Sequence, residues 1–231
     1  MKTIGLLGGM SWESTVSYYR LINEAVRDRL GGLHSARCIL YSVDFAEVEA
    51  LQSAGRWAEA TGLLLTAARG LEAAGADFVL ICTNTMHKVA DALQAGLRTP
   101  LLHIADATAA HVREAGVRRV GLLGTRFTME EDFYRGRLER PFGLEVLVPD
   151  DPDRETVHRT IYDELCIGRW RHESKVRLGA VMDRLAQRGA EGIILGCTEL
   201  GLLIGKGDGP VPVFDTTQIH AQAAVEQALK P

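Results

Sequence analysis

Residues Ala76-Asp77-Phe78-Val79-Leu80-Ile81-Cys82-Thr83-Asn84-Thr85 align without a gap on Ala190-Glu191-Gly192-Ile193-Ile194-Leu195-Gly196-Cys197-Thr198-Glu199. Thr83 falls on Cys197, an offset of 114 residues. A second pair, Ile4-Gly5-Leu6-Leu7-Gly8 on Val120-Gly121-Leu122-Leu123-Gly124, repeats at an offset of 116. A chain of 231 residues that repeats itself at half its length is expected to form two similar lobes. Equivalent loops then meet in the cleft, with Thr83 facing Cys197. Two proton-handling side chains on opposite sides of one ligand are the geometry that inverts a stereocentre.

Outward from these segments, short apolar runs alternate with amphipathic stretches. Strands are expected at Thr3–Leu7, Arg37–Ser42, Phe78–Ile81, Pro100–His103, Val120–Leu123, Leu144–Val148, Gly192–Leu195 and Pro212–Phe214. Helical patterns cover Glu13–Leu30, Trp57–Ala74, Lys88–Ala95, Ala105–Ala115, Glu130–Leu138, Asp153–Leu165, His172–Arg188 and Thr216–Leu229. Near-continuous apolar strands separated by helices predict an α/β fold with parallel sheets covered on both faces. The fold class is therefore two pseudo-symmetric lobes, each a parallel sheet flanked by helices, with the active site in the cleft between them. The lobes are expected at 1–116 and 117–231, divided near Ala115–Arg119, the C-terminal helix being free to cross back onto the first. Thr128-Met129-Glu130-Glu131 is a capping box that predicts a helix start. Gly75 and Gly189 stand where the preceding helix of each copy must stop.

Composition narrows the function. Lys and Arg number 26 against 30 Asp and Glu, a net charge of −4, which argues against nucleic acid or an anionic membrane as partner. No apolar run reaches the roughly 20 residues of a membrane span. The apolar N-terminus is too short for a signal peptide and is followed by Trp12-Glu13-Ser14, so a cytoplasmic protein is expected. Four scattered cysteines (Cys38, Cys82, Cys166, Cys197) contain no C-x-x-C pair, which disfavours structural zinc and predicts free thiols and no metal. Gly5-x-x-Gly8-Gly9 is not a dinucleotide fingerprint; it reads as a tight strand-to-helix turn.

Cys197 follows a buried-strand run and a glycine and precedes Thr198-Glu199. A helix is expected to begin there, and amides at a helix N-terminus lower a thiol's pKa from about 8.5, giving a thiolate able to take an α-proton. Cys82 matches Gly196 in the repeat, and a one-residue slip on a strand points the side chain to the other face, so Cys82 is expected to pack behind the site. Thr83 holds the position equivalent to Cys197. Asn84-Thr85 and Thr198-Glu199 place small polar groups and backbone amides just beyond each strand, suited to a carboxylate. His87 reads equally as a polar contact of the site or as a structural residue. Asp106 and Asp215 read as helix caps or supporting acceptors.

Gly8-Gly9-Met10, Asn84-Thr85-Met86-His87 and Gly196-Cys197-Thr198-Glu199 together resemble the aspartate/glutamate racemase family, over essentially the whole chain. The resemblance implies two pseudo-symmetric α/β lobes, a homodimer, no pyridoxal phosphate or other cofactor, and one cysteine per lobe as the two bases. Here the cysteine before Asn-Thr is Thr83, as in the subgroup of L-aspartate/glutamate-specific racemases. Two-cysteine aspartate racemases also carry an arginine where Val48 stands and a lysine in an Ile-Tyr-x-x-x-Lys-x-Gly stretch where this chain has Cys166. Gln52, near the missing arginine, is the expected substitute, and a broader amino-acid range stays open.

On this reading Cys197 removes the α-proton of the L-enantiomer and Thr83 reprotonates the opposite face. Met10, Gln52, Thr83, Asn84, Thr85, Cys197, Thr198 and Glu199 hold a small amino-acid substrate. Two rivals remain at this stage: an arylmalonate-type decarboxylase, which keeps only the second cysteine, and a two-lobed amino-acid binding protein whose catalysis has decayed.

Overall fold

The computed structural model describes residues 1–230. Its strands are β1 (Ile4–Gly8), β2 (Cys38–Ser42), β3 (Phe78–Ile81), β4 (Leu101–Leu102), β5 (Arg119–Gly124), β6 (Glu145–Leu147), β7 (Gly192–Gly196) and β8 (Val213–Asp215). The helices are α1 (Trp12–Leu30), α2 (Phe45–Ser53), α3 (Trp57–Ala73), α4 (Ala90–Ala95), α5 (Ile104–Glu114), α6 (Arg126–Glu130), α7 (Asp132–Glu139), α8 (Asp151–Arg159), α9 (His172–Gln187) and α10 (Thr216–Leu229). The strands form two parallel four-stranded sheets, ordered β2-β1-β3-β4 and β6-β5-β7-β8. The same order in both is the sequence repeat made visible.

The chain divides into two compact units, one of Met1–Ile104 with the stretch from His220 on, the other of Ala105–Ile219. The change of unit falls at Ile104 rather than in the 115–119 segment expected from the sequence. Helix α5 belongs with the second unit: Asp106 takes a bidentate pair from Arg137 of α7 (2.6 and 2.8 Å), and the His111 ring packs edge-on against Phe214 of β8. No helix among the described residues is long and apolar enough to cross a membrane.

In the first unit the sheet's alternation sorts its side chains into two layers. Leu7, Val79 and Ile81 pack with Ala60, Leu64, Ala67, Ala68 and Leu71 of α3. Ile4, Leu6, Phe78, Leu80 and Cys82 pack on the other side with Tyr18, Ile22 and Val26 of α1 and with Ala221, Ala224, Val225 and Ala228 of α10. Glycines close the helices before β3 and β7: Gly75 and Gly189 have φ of +95° and +96°, the left-handed region that a side chain resists.

Three expectations need correction. Helix α2 is absent from the sequence reading; Asp44 caps it by accepting from Ala46 N–H (3.1 Å), a signal that the short Phe45–Ser53 apolar pattern concealed. The helix expected from Glu130 is two helices, and Thr128 is not its cap. Thr125, three residues earlier, caps α6, its Oγ1 accepting from the Thr128 N–H (3.4 Å). Thr125 thus satisfies one of the two amides that a capping box would, and the Thr128 hydroxyl meets the Thr125 hydroxyl (3.2 Å). The stretch expected as one helix to Leu165 leaves α-geometry after Arg159, continuing as a π-turn and a short 3-10 turn ending at Gly168.

His220 is buried between the β4 carbonyl of Leu102, to which Nε2–H donates (2.9 Å), and the Tyr18 hydroxyl, which donates to Nδ1 (2.8 Å). Burial pushes its pKa down from 6.5 to about 4. Between those values the unfolded chain binds the proton and the folded one does not, so stability falls as the pH drops through this window. The full shift corresponds to about 3 kcal/mol. Urea melts from pH 7 to 4 on His220→Gln should show a shallower acid slope than the unmodified chain; an identical slope would remove His220 from the acid response.

Candidate functional site

In the first unit the candidate residues gather at the carboxyl ends of β1 and β3, the edge where open parallel sheets bind ligands. Gly9 makes the turn after β1 at φ +92°, and a Cβ there would fall 2.2 Å from the Val43 carbonyl oxygen. Its N–H donates to Thr15 Oγ1 (2.9 Å), whose hydroxyl in turn donates to the Ser11 carbonyl (2.8 Å). This pins Met10 in a buried position. Alongside, the Cys82 N–H donates to the Leu7 carbonyl (2.9 Å), extending the β1–β3 pairing to the threshold of Thr83. Thr83, Asn84 and Thr85 follow, all buried, and the chain then turns through a 3-10 segment, Thr85–Val89. Val48 and Gln52 lie one turn apart on the buried face of α2. Gln52 Nε2–H donates to Met86 Sδ (2.8 Å), joining α2 to the Thr83 loop.

In the second unit Cys197 follows β7, with Thr198 and Glu199 beside it, all three buried. Cys197 Sγ–H donates to Glu199 Oε2 (3.0 Å), and Thr198 Oγ1–H donates to the same oxygen (2.8 Å). The loop is tied to α10, whose Thr216 hydroxyl donates to the Leu195 carbonyl (2.7 Å). Gly196, at the repeat position of Cys82, has no room for a side chain: a Cβ would lie 2.7 Å from Leu122 and 3.0 Å from the Leu123 carbonyl. Cys82 has that room in an apolar layer, and burial there raises its thiol pKa, away from any thiolate role.

The helix expected after Cys197 does not form. Only a three-residue 3-10 turn, Leu200–Leu202, follows, because Gly201, Gly205, Gly207, Gly209 and Pro210 interrupt the chain. There is no macrodipole to draw the thiol down. Burial, then the Glu199 carboxylate, then Cys166 push the Cys197 thiol well above its ordinary value. The resting form is the thiol, with a carboxylate already accepting its hydrogen. Cys166 lies half-buried on the Leu165–Ile167 turn and packs against the same apolar cluster as Cys197.

A racemase-family model, Asp/Glu/hydantoin racemase, matches residues 7–224. The chain belongs to this family. It is accordingly an enzyme of the isomerase class, an amino-acid racemase by family. A crystal structure of a candidate Asp/Glu racemase from Yersinia pestis is 56% identical, with TM-score 0.92 and all of both chains covered. The Pyrococcus horikoshii OT3 protein PH1733, an aspartate racemase homologue, is 39% identical with TM-score 0.86 and full coverage of both chains. The broad specificity amino-acid racemase RacX of Bacillus subtilis is 25% identical over 159 residues, 69% of this chain and 68% of its own.

Among the buried polar residues that the sequence reading did not single out is Thr125. Thr125 follows Gly124, the last residue of β5, which pairs with Gly196 of β7. The β1/β5 repeat places Thr125 opposite Gly9 in the alignment, which was signal enough to find it.

The Glu199 contact makes a prediction of its own. In Glu199→Gln the negative charge that, after burial, raises the Cys197 thiol is gone, so alkylation by iodoacetamide should titrate at lower pH. Turnover should fall, by about tenfold or more, because the acceptor for the thiol proton is lost. A midpoint that stays put would mean that burial alone sets the thiol.

Proposed function

We propose that the enzyme racemises aspartate and glutamate without pyridoxal phosphate, Cys197 taking the α-proton of the L-enantiomer and Thr83 delivering one to the opposite face. The observation that carries the reading is the equivalence of Thr83 and Cys197, each just past the same strand of its sheet and each followed by a buried polar pair, in a member of the Asp/Glu/hydantoin racemase family. The thiol first passes its proton to Glu199 Oε2. The thiolate then takes the Cα–H, leaving a carbanion stabilised by the substrate carboxylate. The Thr83 hydroxyl donates its proton to the other face, and solvent water relays the proton held by Glu199 to the alkoxide, so that both groups return to their starting state. In this reading Met10, Gln52, Asn84, Thr85, Thr198 and Glu199 hold the substrate, and the protein works as a homodimer in the cytoplasm.

A wider substrate range has its own support: Val48 and Cys166 stand where two-cysteine aspartate racemases carry cations, and the Bacillus relative is a broad specificity racemase. One experiment separates the two. Proton NMR in deuterium oxide with a panel of acidic, neutral and basic L-amino acids should show loss of the α-proton signal for aspartate and glutamate first. Faster loss for neutral or basic members would establish the wider range, and no loss from any amino acid would refute the racemase mechanism.

A further inference from the structure

We infer that His87 is the positioning residue of the Thr83 loop, an imidazole strut that aims the threonine hydroxyl; the role attached to Thr83 rests on the function proposed above. His87 is buried and lies four residues past Thr83. Its Nε2 receives the N–H of Ile104 (3.2 Å), at the start of α5. A backbone N–H can only donate, so Nε2 is unprotonated and the ring hydrogen sits on Nδ1. Nδ1 is 2.8 Å from the Thr83 carbonyl oxygen, to which it therefore donates. One neutral ring thus ties the loop after β3 to the junction after β4, and its tautomer is fixed from both ends. The His103 ring packs edge-on against it at 4.4 Å between centroids, holding the plane of the ring.

The second unit builds the same place differently. The position equivalent to His87 is Gly201, and the space a side chain would need is taken by Asp215, whose Oδ2 would lie 2.3 Å from a Cβ there. Asp215 turns its other oxygen to the Thr217 N–H (2.8 Å) and caps α10. The Cys197 carbonyl accepts a backbone N–H, from Leu200 (3.1 Å), and not a side chain. The imidazole strut is therefore specific to the threonine side. That is where precision is needed most. A thiolate is a diffuse, polarisable base, whereas a hydroxyl must point its single O–H at a carbanion face, and displacement of about 1 Å can cost 10²-fold in rate.

Two variants divide the ring's functions. In His87→Gln the amide reaches the Nε2 position and keeps the Ile104 contact but offers no donor at Nδ1. In His87→Asn the amide N–H falls at the Nδ1 position and restores the bond to the Thr83 carbonyl. With L-aspartate in deuterium oxide, His87→Gln should keep α-proton exchange through Cys197 within about threefold, while inversion falls by more than about thirtyfold. His87→Asn should regain inversion to within about fivefold, because the hydrogen bond to the Thr83 carbonyl is restored. Equal losses of exchange and inversion in His87→Gln, or a His87→Asn no better than His87→Gln, would overturn the inference. A second measurement is independent of catalysis and of variant folding. The 15N-histidine spectrum of the unmodified full chain should show His87 as the Nδ1–H tautomer; an Nε2–H tautomer would break the strut outright. Failure of L-aspartate to exchange in the unmodified enzyme would count against Cys197 as base, and the tautomer would still decide the strut.

Discussion

Cys197→Ser should abolish racemisation, lowering turnover by about 10³-fold or more, because a hydroxyl near neutral pH supplies almost no base where a thiolate does. Cys82→Ser should keep most of the activity. Its side chain lies among Ile4, Leu6, Tyr18, Phe78 and Leu80, on the layer turned away from α2 and α3. The cost there is thermodynamic: a hydroxyl with no partner in that apolar layer should destabilise the fold by about 1–3 kcal/mol. Turnover assays and urea melts on both variants separate a chemical loss from a packing loss. Comparable losses of turnover at the two positions would mean that the repeat is misaligned by one residue and that Cys82, not Thr83, is the partner of Cys197.

Thr83→Ala should reduce inversion by about 10²-fold or more, the usual worth of a positioned proton donor. Exchange of the L-enantiomer's α-proton should survive, since the Cys197–Glu199 pair is untouched. Thr83→Cys should restore inversion and, in addition, let the D-enantiomer lose its α-proton readily, because a second thiol can act as a base and a threonine cannot. Chiral chromatography paired with proton NMR in deuterium oxide reads both quantities from one sample. Inversion by Thr83→Ala at the unmodified rate would show that water or another residue is the second acid.

The architecture was largely legible because parallel strands buried on both faces announce themselves as apolar runs, and all eight strands lie within a residue or two of their expected bounds. The repeat did more: it told Thr83 from Cys82, a distinction that depends on one step of strand register and that burial of Cys82 in the α1/α10 layer explains. What the sequence concealed was tertiary. Helix α2 is too short, at nine residues, to show a helical period clearly, yet it brings Gln52 to Met86. The thiol's environment was misjudged for the same reason. Local pattern offered a strand followed by a helix N-terminus, while the fold supplies a short turn and a carboxylate two residues on, reversing the direction in which the thiol pKa moves. Likewise His87 reads ambiguously in the chain, and only the Ile104 amide, 17 residues away, fixes which of its nitrogens carries the proton.

The central claim is an asymmetric pair, a thiol that can remove a proton and a hydroxyl that can only give one. Enantiomers have equal free energy in water, so the two directions of racemisation share one kcat/KM and cannot by themselves reveal the asymmetry. Exchange can. The direct measurement is the rate of α-deuterium uptake by L-aspartate and by D-aspartate, each compared with its inversion rate in deuterium oxide. The Thr83/Cys197 assignment predicts that the L-enantiomer exchanges much faster than it inverts, while the D-enantiomer takes up deuterium no faster than it inverts. Rapid exchange of D-aspartate without inversion would contradict it.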